Sequence, residues 1–218
     1  MAEIKKKDFV EIEYTGKIKD GGIIFDTTDS ETAKKNNIFN EKFDYSPAII
    51  CIGENHVIKG LDEKIEGKEI KKEYEIQLRP EEAFGKKDAK LLRIVPANIF
   101  RKQNIVPMPG LQVGIDGLLG TIRTVSGGRV IVDFNHPLAG KEISYTIKIN
   151  RIVDDEKEKI MSLIKNSLGL KNVEVDIKDD GATLNLEKDL PESIKKNIEN
   201  KIKEIVNTKK VNFIVIKK

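Results

Sequence analysis

The segment from Tyr14 to Asp26, with the strand leading into it, constrains the fold more than any other part of the chain. Apolar and polar residues alternate from residue 10 to Tyr14, the period-two pattern of a strand with one buried face. The following Asp20-Gly21-Gly22 sequence is typical of a tight turn, because glycine readily adopts the positive φ of hairpin turns. We therefore predict a hairpin whose return strand carries Phe25 and Asp26 back beside Tyr14. Two aromatic rings and one carboxylate suit an apolar guest that has one polar group.

Two further blocks carry recognisable local patterns. Within residues 53–67, Leu61 and Ile65 lie four apart, which indicates one face of a short helix, and Gly67 is suited to end it. The sequence Pro80-Glu81-Glu82-Ala83-Phe84-Gly85 follows another alternating strand. These blocks predict a small mixed domain of strands with one short helix.

Composition restricts the class of protein. Of the 218 residues, 39% are hydrophobic and 34% are charged, which indicates a globular protein with a charged surface. Lys+Arg number 39 and Asp+Glu number 36, so the balance is too even to imply a nucleic-acid partner. The one cysteine, Cys51, lies in an apolar run and is expected in a core, in a reducing compartment. No apolar stretch reaches the length of a membrane span, so we expect a cytoplasmic protein without membrane contact.

The later part of the chain changes character twice. Glycines and prolines are frequent between residues 86 and 134, where two strands (118–125 and 129–134) are predicted around a Ser126-Gly127-Gly128 turn. A strand follows at 143–149. From residue 153 onward the periodicity predicts a helix, a hairpin around Asp179-Asp180-Gly181, a helix that begins at Pro191 and a final strand at 211–216. This last αββαβ unit is small, so docking or dimerisation is expected of it.

Motifs spread over the chain together resemble one family. They are Tyr14-Thr15-Gly16, Phe25-Asp26, Val57-Ile58-Lys59-Gly60-Leu61, Glu82-Ala83-Phe84-Gly85 and Asn135-His136-Pro137-Leu138-Ala139-Gly140-Lys141. In this order they resemble the FKBP-type peptidyl-prolyl isomerases, and the last is similar to the SlyD-like branch. The resemblance implies an α+β fold: an FKBP antiparallel sheet around a short helix, with an inserted small β domain and the C-terminal αββαβ domain. The expected domains are 1–85 plus 135–152 (isomerase), 86–134 (insert-in-flap) and 153–218 (C-terminal).

The resemblance also implies a site without a cofactor or a metal. The residues expected to act on the bond are Tyr14, Asp26, Ile58 and Phe84, and those expected to bind substrate are Phe25, Val57, Leu61 and Tyr145, with Ile99, Phe100 and Met108 of the insert holding unfolded chains. In this assignment the Ile58 N–H holds a substrate carbonyl and Asp26 orients the twisting amide. Two departures from the family pattern, Leu61 for tryptophan and Phe84 for tyrosine, are expected to lower activity or relax selectivity.

The chemistry fits these residue types. Rotation about an X-Pro amide has a barrier of about 18–20 kcal/mol, and no bond is cut, so neither a nucleophile nor a metal is required. The planar amide is more dipolar than the twisted one, so an apolar pocket that removes water favours the twisted state relative to the ground state. His56 and His136, the two histidines, have no partners at metal-ligand spacing.

Two other functions stay open from sequence. One is a holdase chaperone with weak or vestigial isomerase activity. The other is an interaction module whose C-terminal unit binds a partner or nucleic acid through Lys209, Lys210, Lys217 and Lys218. We expect instead that the partners are unfolded or partly folded polypeptides containing X-Pro bonds, with no nucleic acid, and that the C-terminal domain forms a homodimer.

Overall fold

The predicted hairpin forms and lies in the main sheet of the protein. In the computed structural model, residues 3–170, 173–178, 181–206, 208 and 210–216 are described. The strands are β1 (Phe9–Ile18), β2 (Ile24–Thr27), β3 (Ala48–Cys51), β4 (Lys72–Leu78), β5 (Leu92–Pro96), β6 (Gln112–Ile115), β7 (Leu118–Ser126), β8 (Arg129–Asp133), β9 (Ile143–Ile152), β10 (Glu174–Lys178), β11 (Gly181–Leu186) and β12 (Lys210–Val215). The helices are α1 (Ser30–Lys35), α2 (Lys59–Ile65), α3 (Ala97–Lys102), α4 (Glu156–Leu168) and α5 (Glu192–Val206).

The turn of this hairpin follows from its glycines. Gly21 and Gly22 have φ values of 82° and 64°, which residues with a Cβ rarely adopt. The Ile18 N–H donates to the Ile23 carbonyl at 2.8 Å and closes the turn. The sequence prediction of this hairpin is therefore confirmed.

The main sheet is antiparallel and has β1 and β9 at its centre. Its order is β2-β1-β9-β4, and β3 pairs with the opposite end of β1 from β2, on the same edge. The strand predicted at 143–149 thus closes this sheet after the intervening segment, as expected. The mixture of antiparallel sheets and a few helices confirms the α+β class. Helix α1 and strands β3, β5 and β6 had no prediction, because these segments are short and lack clear periodicity.

The C-terminal αββαβ segment shares a hydrophobic core with the main sheet. Buried residues of its helices and strands form one cluster with Phe9 of β1, Cys51 of β3 and Val153. The Asp155 carboxylate caps α4 by accepting from the Glu158 N–H at 2.8 Å. A segment this small buries too little apolar surface alone, so docking supplies the rest. The turn predicted at Asp179-Asp180-Gly181 lies partly outside the described residues.

The strands of this segment form a separate three-stranded sheet. Its order is β10-β11-β12, with β11 and β12 parallel. Of the four lysines considered for a nucleic-acid patch, Lys209, Lys217 and Lys218 lie outside the described residues.

Chain contacts divide the protein into two compact units. The first is Met1–Leu78 with Ile143–Lys218, and the second is Arg79–Glu142. The second unit holds an antiparallel sheet of order β5-β8-β7-β6 and helix α3, around a core of its own. Gly127 and Gly128 both have positive φ at the predicted turn between β7 and β8. The residue boundaries of the three domains expected from sequence stay a prediction.

One expectation about the second unit needs correction. Phe100 was assigned to a surface that holds unfolded chains, but its side chain is 1% exposed and belongs to the core of the unit. An aromatic ring is the largest apolar group available to a small sheet, so it fills the interior. Ile99 and Met108 are exposed.

Asp133 is a buried charged group of the second unit. Its buried carboxylate accepts from Arg123 Nε and Nη2 at 3.0 and 2.8 Å, and from the Asn135 backbone N–H and Nδ2 at 2.9 and 2.8 Å. Burial works to raise its pKa, but the hydrogen bonds from Asn135 and Arg123 outweigh burial and lower the pKa. We expect Asp133→Asn to destabilise this unit by about 1–3 kcal/mol, because a neutral amide accepts weaker hydrogen bonds from Arg123 and Asn135 than the carboxylate does. Hydrogen exchange of the β7 and β8 amides measures the loss.

The pH dependence of that loss follows from the lowered pKa. The ionised carboxylate stabilises the folded state above its unfolded pKa of about 3.9, and this contribution disappears as the pH falls through the lower folded pKa. The difference between wild type and Asp133→Asn is therefore expected to be constant near neutral pH and to shrink in acid. Asp116→Asn, at an exposed position with φ of 50°, is the matched control. An equal loss in both variants would contradict the assignment.

Candidate active site

Tyr14 and Asp26 lie on neighbouring strands and form a hydrogen-bonded pair. Gly16 of β1 is opposite Asp26 of β2 in the antiparallel register. The Tyr14 hydroxyl donates to the Asp26 carboxylate. The Tyr14 backbone N–H donates to Thr28 Oγ1 at 2.9 Å, and the Thr28 N–H donates to the Tyr14 carbonyl at 3.0 Å. These two hydrogen bonds to Thr28 fix the backbone of Tyr14, from which its phenol ring extends.

Burial changes the protonation behaviour of both groups. Burial is the main cause that raises the pKa of Tyr14, and the nearby Asp26 charge and their hydrogen bond add to it. Burial also raises the pKa of Asp26, while hydrogen bonds from Tyr14 and the Thr27 backbone oppose that rise in part. Tyr14 therefore remains protonated and acts as a hydrogen-bond donor. For Asp26, burial disfavours the charged carboxylate, and the hydrogen bonds favour it only in part.

The Tyr14 ring belongs to a cluster of three aromatic rings in which Tyr145 packs edge to face against Tyr14 and Phe25. The Tyr145 ring centroid lies 5.8 Å from those of Tyr14 and Phe25, at interplanar angles of 68° and 85°. Gly16 makes this packing possible, because a Cβ there would lie 2.7 Å from Tyr145 Cε1 and 2.9 Å from Phe25 Cζ. The sequence placed Gly16 in a motif but gave no sign of this contact. Tyr145 is 2% exposed and does not line the cavity described next, so its part in substrate binding stays a prediction.

A cavity of about 550 Å³ opens beside Tyr14, Phe25 and Asp26. Its volume is within the ~300–1,000 Å³ range of small-ligand sites. The structure thus brings together three predicted residues at one cavity. Sequence reasoning missed the rest of its lining, which comes from the end of β2, the segment from α1 to the start of β3, and the end of α4: Thr27, Thr28, Ile38, Lys42, Phe43, Asp44, Tyr45, Ser46, Ala48, Lys165, Asn166 and Gly169. These residues lie outside the sequence motifs and reach the cavity through packing of distant segments, so no local sequence pattern indicated them.

The predicted helix block lies around α2 and does not line this cavity. Asp62, which is buried, accepts from the backbone N–H groups of Gly53 and Asn55 at 2.9–3.1 Å and fixes the loop before the helix. Val57 and Ile58 at the end of that loop are half-buried, and Leu61 is fully buried. Among the described residues, no backbone acceptor for the Ile58 N–H is found. Roles for Val57, Ile58 and Leu61 in substrate binding stay predictions.

The remaining predicted residues belong to the second unit. Phe84 stacks on His136 with centroids 4.5 Å apart and an interplanar angle of 4°. The Gly140 N–H donates to the Gly85 carbonyl at 2.8 Å, which ties the two motif segments together. The parts of Phe84, Ile99 and Met108 in substrate binding stay predictions.

Sequence analysis singled out Cys51, which is buried, and His56, which is half-buried. Burial raises the pKa of the Cys51 thiol to about 12, so it is a neutral core residue as expected. His56 Nδ1 accepts from the Cys51 N–H at 3.1 Å, and burial lowers the pKa of His56. Across the described residues no group of three or more His, Cys, Asp and Glu side chains is arranged to hold a metal ion. No helix in the described part of the chain is long and apolar enough to cross a membrane.

The arrangement defines a class of protein before any comparison is made. A cavity with aromatic and aliphatic walls, and with the hydrogen-bonded Asp26 carboxylate in its lining, suits an apolar guest that has a polar group. A family model described as FKBP-type peptidyl-prolyl cis-trans isomerase matches residues 1–100. Another, described as FKBP26, IF domain, matches residues 93–138.

Curated relatives agree with these matches. The chain is 34% identical over 155 residues to the short-type peptidyl-prolyl cis-trans isomerase of Methanocaldococcus jannaschii, covering 71% of this chain and 98% of that protein. It is 28% identical to the FKBP-type isomerase SlyD of Haemophilus influenzae (67% and 71% covered) and 25% identical to the FKBP-type 16 kDa isomerase of Escherichia coli K12 (68% and 93% covered). The chain belongs to the FKBP-type peptidyl-prolyl cis-trans isomerases.

Proposed function

We propose that this isomerase twists X-Pro bonds at the cavity beside Tyr14, Phe25 and Asp26. The observation that carries the proposal is the Tyr14–Asp26 hydrogen bond at the edge of an otherwise largely apolar cavity. The apolar walls remove water from the imide, which destabilises the dipolar planar form more than the twisted form. In this proposal the Asp26 carboxylate orients the rotating amide. The Ile58 N–H, which is not part of the cavity lining, holds a carbonyl of the substrate outside the cavity.

A protease-coupled assay on a short proline peptide tests this proposal. Spontaneous cis-to-trans conversion takes tens to hundreds of seconds. The full chain is expected to accelerate this conversion well above the spontaneous rate. A chain that suppresses aggregation of an unfolded protein but gives no acceleration would support the holdase alternative. Acceleration that survives loss of the cavity residues would contradict the assigned site.

We further propose that the second unit holds unfolded or partly folded polypeptides. Several large apolar side chains of this unit are exposed, including Ile94 (64%), Val106 (74%), Met108 (57%) and Leu119 (68%). Grouped exposed apolar surface is typical of interaction sites, and methionine adapts to varied partners. The unit is covalently joined to the isomerase domain at both ends, so a held client remains at high effective concentration near the catalytic cavity.

We also propose that the C-terminal segment forms a homodimer. β12 is an edge strand, and Ile214, Val215 and Ile216 at its end are exposed, which suits self-association. A homodimer through this segment is expected in sedimentation, and a strictly monomeric chain at micromolar concentration would refute it.

The single cysteine fits a reducing compartment, so we propose a cytoplasmic location for the protein.

A further inference from the structure

The cavity extends to the C-terminal end of α4, outside the domain expected to hold the site. Lys165, Asn166 and Gly169 line the same cavity as the predicted residues of β1 and β2. Nearly all of the M. jannaschii relative aligns with 71% of this chain, so part of this chain has no counterpart there. Resemblance to the family assigns no part in catalysis to the C-terminal segment.

Specific contacts fix this end of α4 against the main sheet and the loop before β3. Asn166 Nδ2 donates to the Ile49 carbonyl at 2.9 Å. Lys165 Nζ contacts Asp44 Oδ2 at 2.8 Å, and Asp44 also lines the cavity. Gly169 ends the helix in the left-handed conformation with φ of 68°. Long-range contacts therefore fix the end of α4 as part of the cavity wall.

The size of the cavity calls for more than a proline ring. A ring of three methylene groups fills only a small part of about 550 Å³. The rest of the lining combines the apolar side chains of Ile38, Phe43 and Ala48 with polar and charged ones. Phe43 is 66% exposed at this rim. The remaining space therefore suits a second side chain of the polypeptide, adjacent to its proline.

Lys165 and Asp44 form an ion pair at the α4 end of the cavity, and Lys42 also lines the cavity. Side chains of Lys165 and Asp44 are 43% and 47% exposed, so the pair is accessible to a bound chain. An exposed pair of this kind contributes little to folding stability. Its removal is therefore expected to change the electrostatic character of the groove and to leave the fold intact.

We propose that Lys165 is a specificity-determining residue of the isomerase, through which the C-terminal segment sets the charge preference for residues beside the proline. With Lys165 in place the Asp44 charge is neutralised, so an apolar neighbour is favoured and an acidic one is tolerated. Lys165→Glu replaces this balance with two adjacent carboxylates, which repel an acidic residue and attract a basic one. The inference depends on the proposed function, because it requires substrate in this cavity.

Two sets of proline peptides test the inference, with Glu, Leu or Lys placed directly before or directly after the proline. In Lys165→Glu, the KM ratio of the Glu peptide to the Lys peptide is expected to rise about fivefold or more in at least one set. The change is expected in KM rather than in kcat, and the Leu peptide is the neutral reference against which the two charged peptides are compared. A merely structural role would change kcat, KM and Tm together for all peptides.

Matched variants separate the outcomes. Lys157→Glu makes the same charge change at an exposed position of α4 outside the cavity, and is expected to leave the ratio unchanged. Asp44→Lys with Lys165→Glu restores the opposite pair and should return the ratio toward wild type. An unchanged ratio in Lys165→Glu, or an equal change in Lys157→Glu, would overturn the inference while the isomerase activity stands. A wild-type chain inactive on every peptide would overturn both.

Discussion

Asp26→Asn is expected to lower kcat/KM for a proline peptide by about tenfold, equivalent to ~1.4 kcal/mol, while raising the Tm of the protein at neutral pH. Activity falls because a charged hydrogen-bond acceptor interacts roughly twice as strongly as a neutral one, and the amide that replaces it orients the twisting bond less well. The two opposite changes distinguish a functional carboxylate from a structural one. Peptide kinetics and thermal unfolding measure them on the same samples.

The direction of the Tm change follows from the pKa of Asp26. Burial raises this pKa above the unfolded value, so the protonated form is favoured in the folded state. That favourable contribution is complete below the unfolded pKa and is lost as the pH rises through the folded pKa. At neutral pH the charged carboxylate is therefore less stable in its site than a neutral amide. The Tm advantage of Asp26→Asn should disappear in acid.

Tyr14→Phe gives an independent readout of the same pair. The Tyr14 hydrogen bond opposes the effect of burial and lowers the pKa of Asp26, so its loss raises that pKa further. The acid limb of the kcat/KM profile is expected to move to higher pH. Asp20→Asn, in the exposed hairpin turn, makes the same chemical change as Asp26→Asn and is expected to alter neither activity nor Tm. If Asp26→Asn and Asp20→Asn behave alike, the assignment of Asp26 to the active site is contradicted.

Deleting residues 86–134 is expected to reduce catalysis of proline-limited protein refolding by about tenfold or more, with little loss on a short peptide. The reason is that a tethered client meets the catalytic cavity at an effective concentration which a free one does not reach. A short peptide is not held by the second unit and loses nothing. Refolding of a destabilised proline-containing protein, compared with the peptide assay, measures the difference. Equal losses on both substrates would contradict a role in holding clients.

A surface variant avoids the risk that a deletion disturbs the fold. Ile94→Ser, Val106→Ser and Leu119→Ser combined remove three exposed apolar side chains without touching the core of the second unit. This variant is expected to reproduce the refolding defect at unchanged Tm. Phe100→Ala is the contrast, because it empties a buried site and is expected to cost about 3–5 kcal/mol of stability. A refolding defect seen only with Phe100→Ala would show that unfolding, not client contact, is responsible.

Local patterns in the sequence predicted most of the regular elements. Alternation predicted β1, β9 and β11, glycine pairs predicted the turns at Gly21-Gly22 and Gly127-Gly128, and helical spacing predicted α4. These features depend on residues close together in the chain, where backbone preference and one-sided burial act directly. α1 and β3 escaped prediction because elements of six and four residues offer too few repeats to define a period.

The sequence by itself determined the hairpin, the family motifs and the three cavity residues that those motifs carry, Tyr14, Phe25 and Asp26. Only the tertiary structure decided that Phe100 is buried, that the C-terminal segment shares a core with Phe9 and Cys51, and that Lys165 lies beside Asp44 in the cavity wall. The physical reason is separation along the chain. Periodicity states which face of an element is apolar, but which distant surface covers that face is decided by packing of the whole chain.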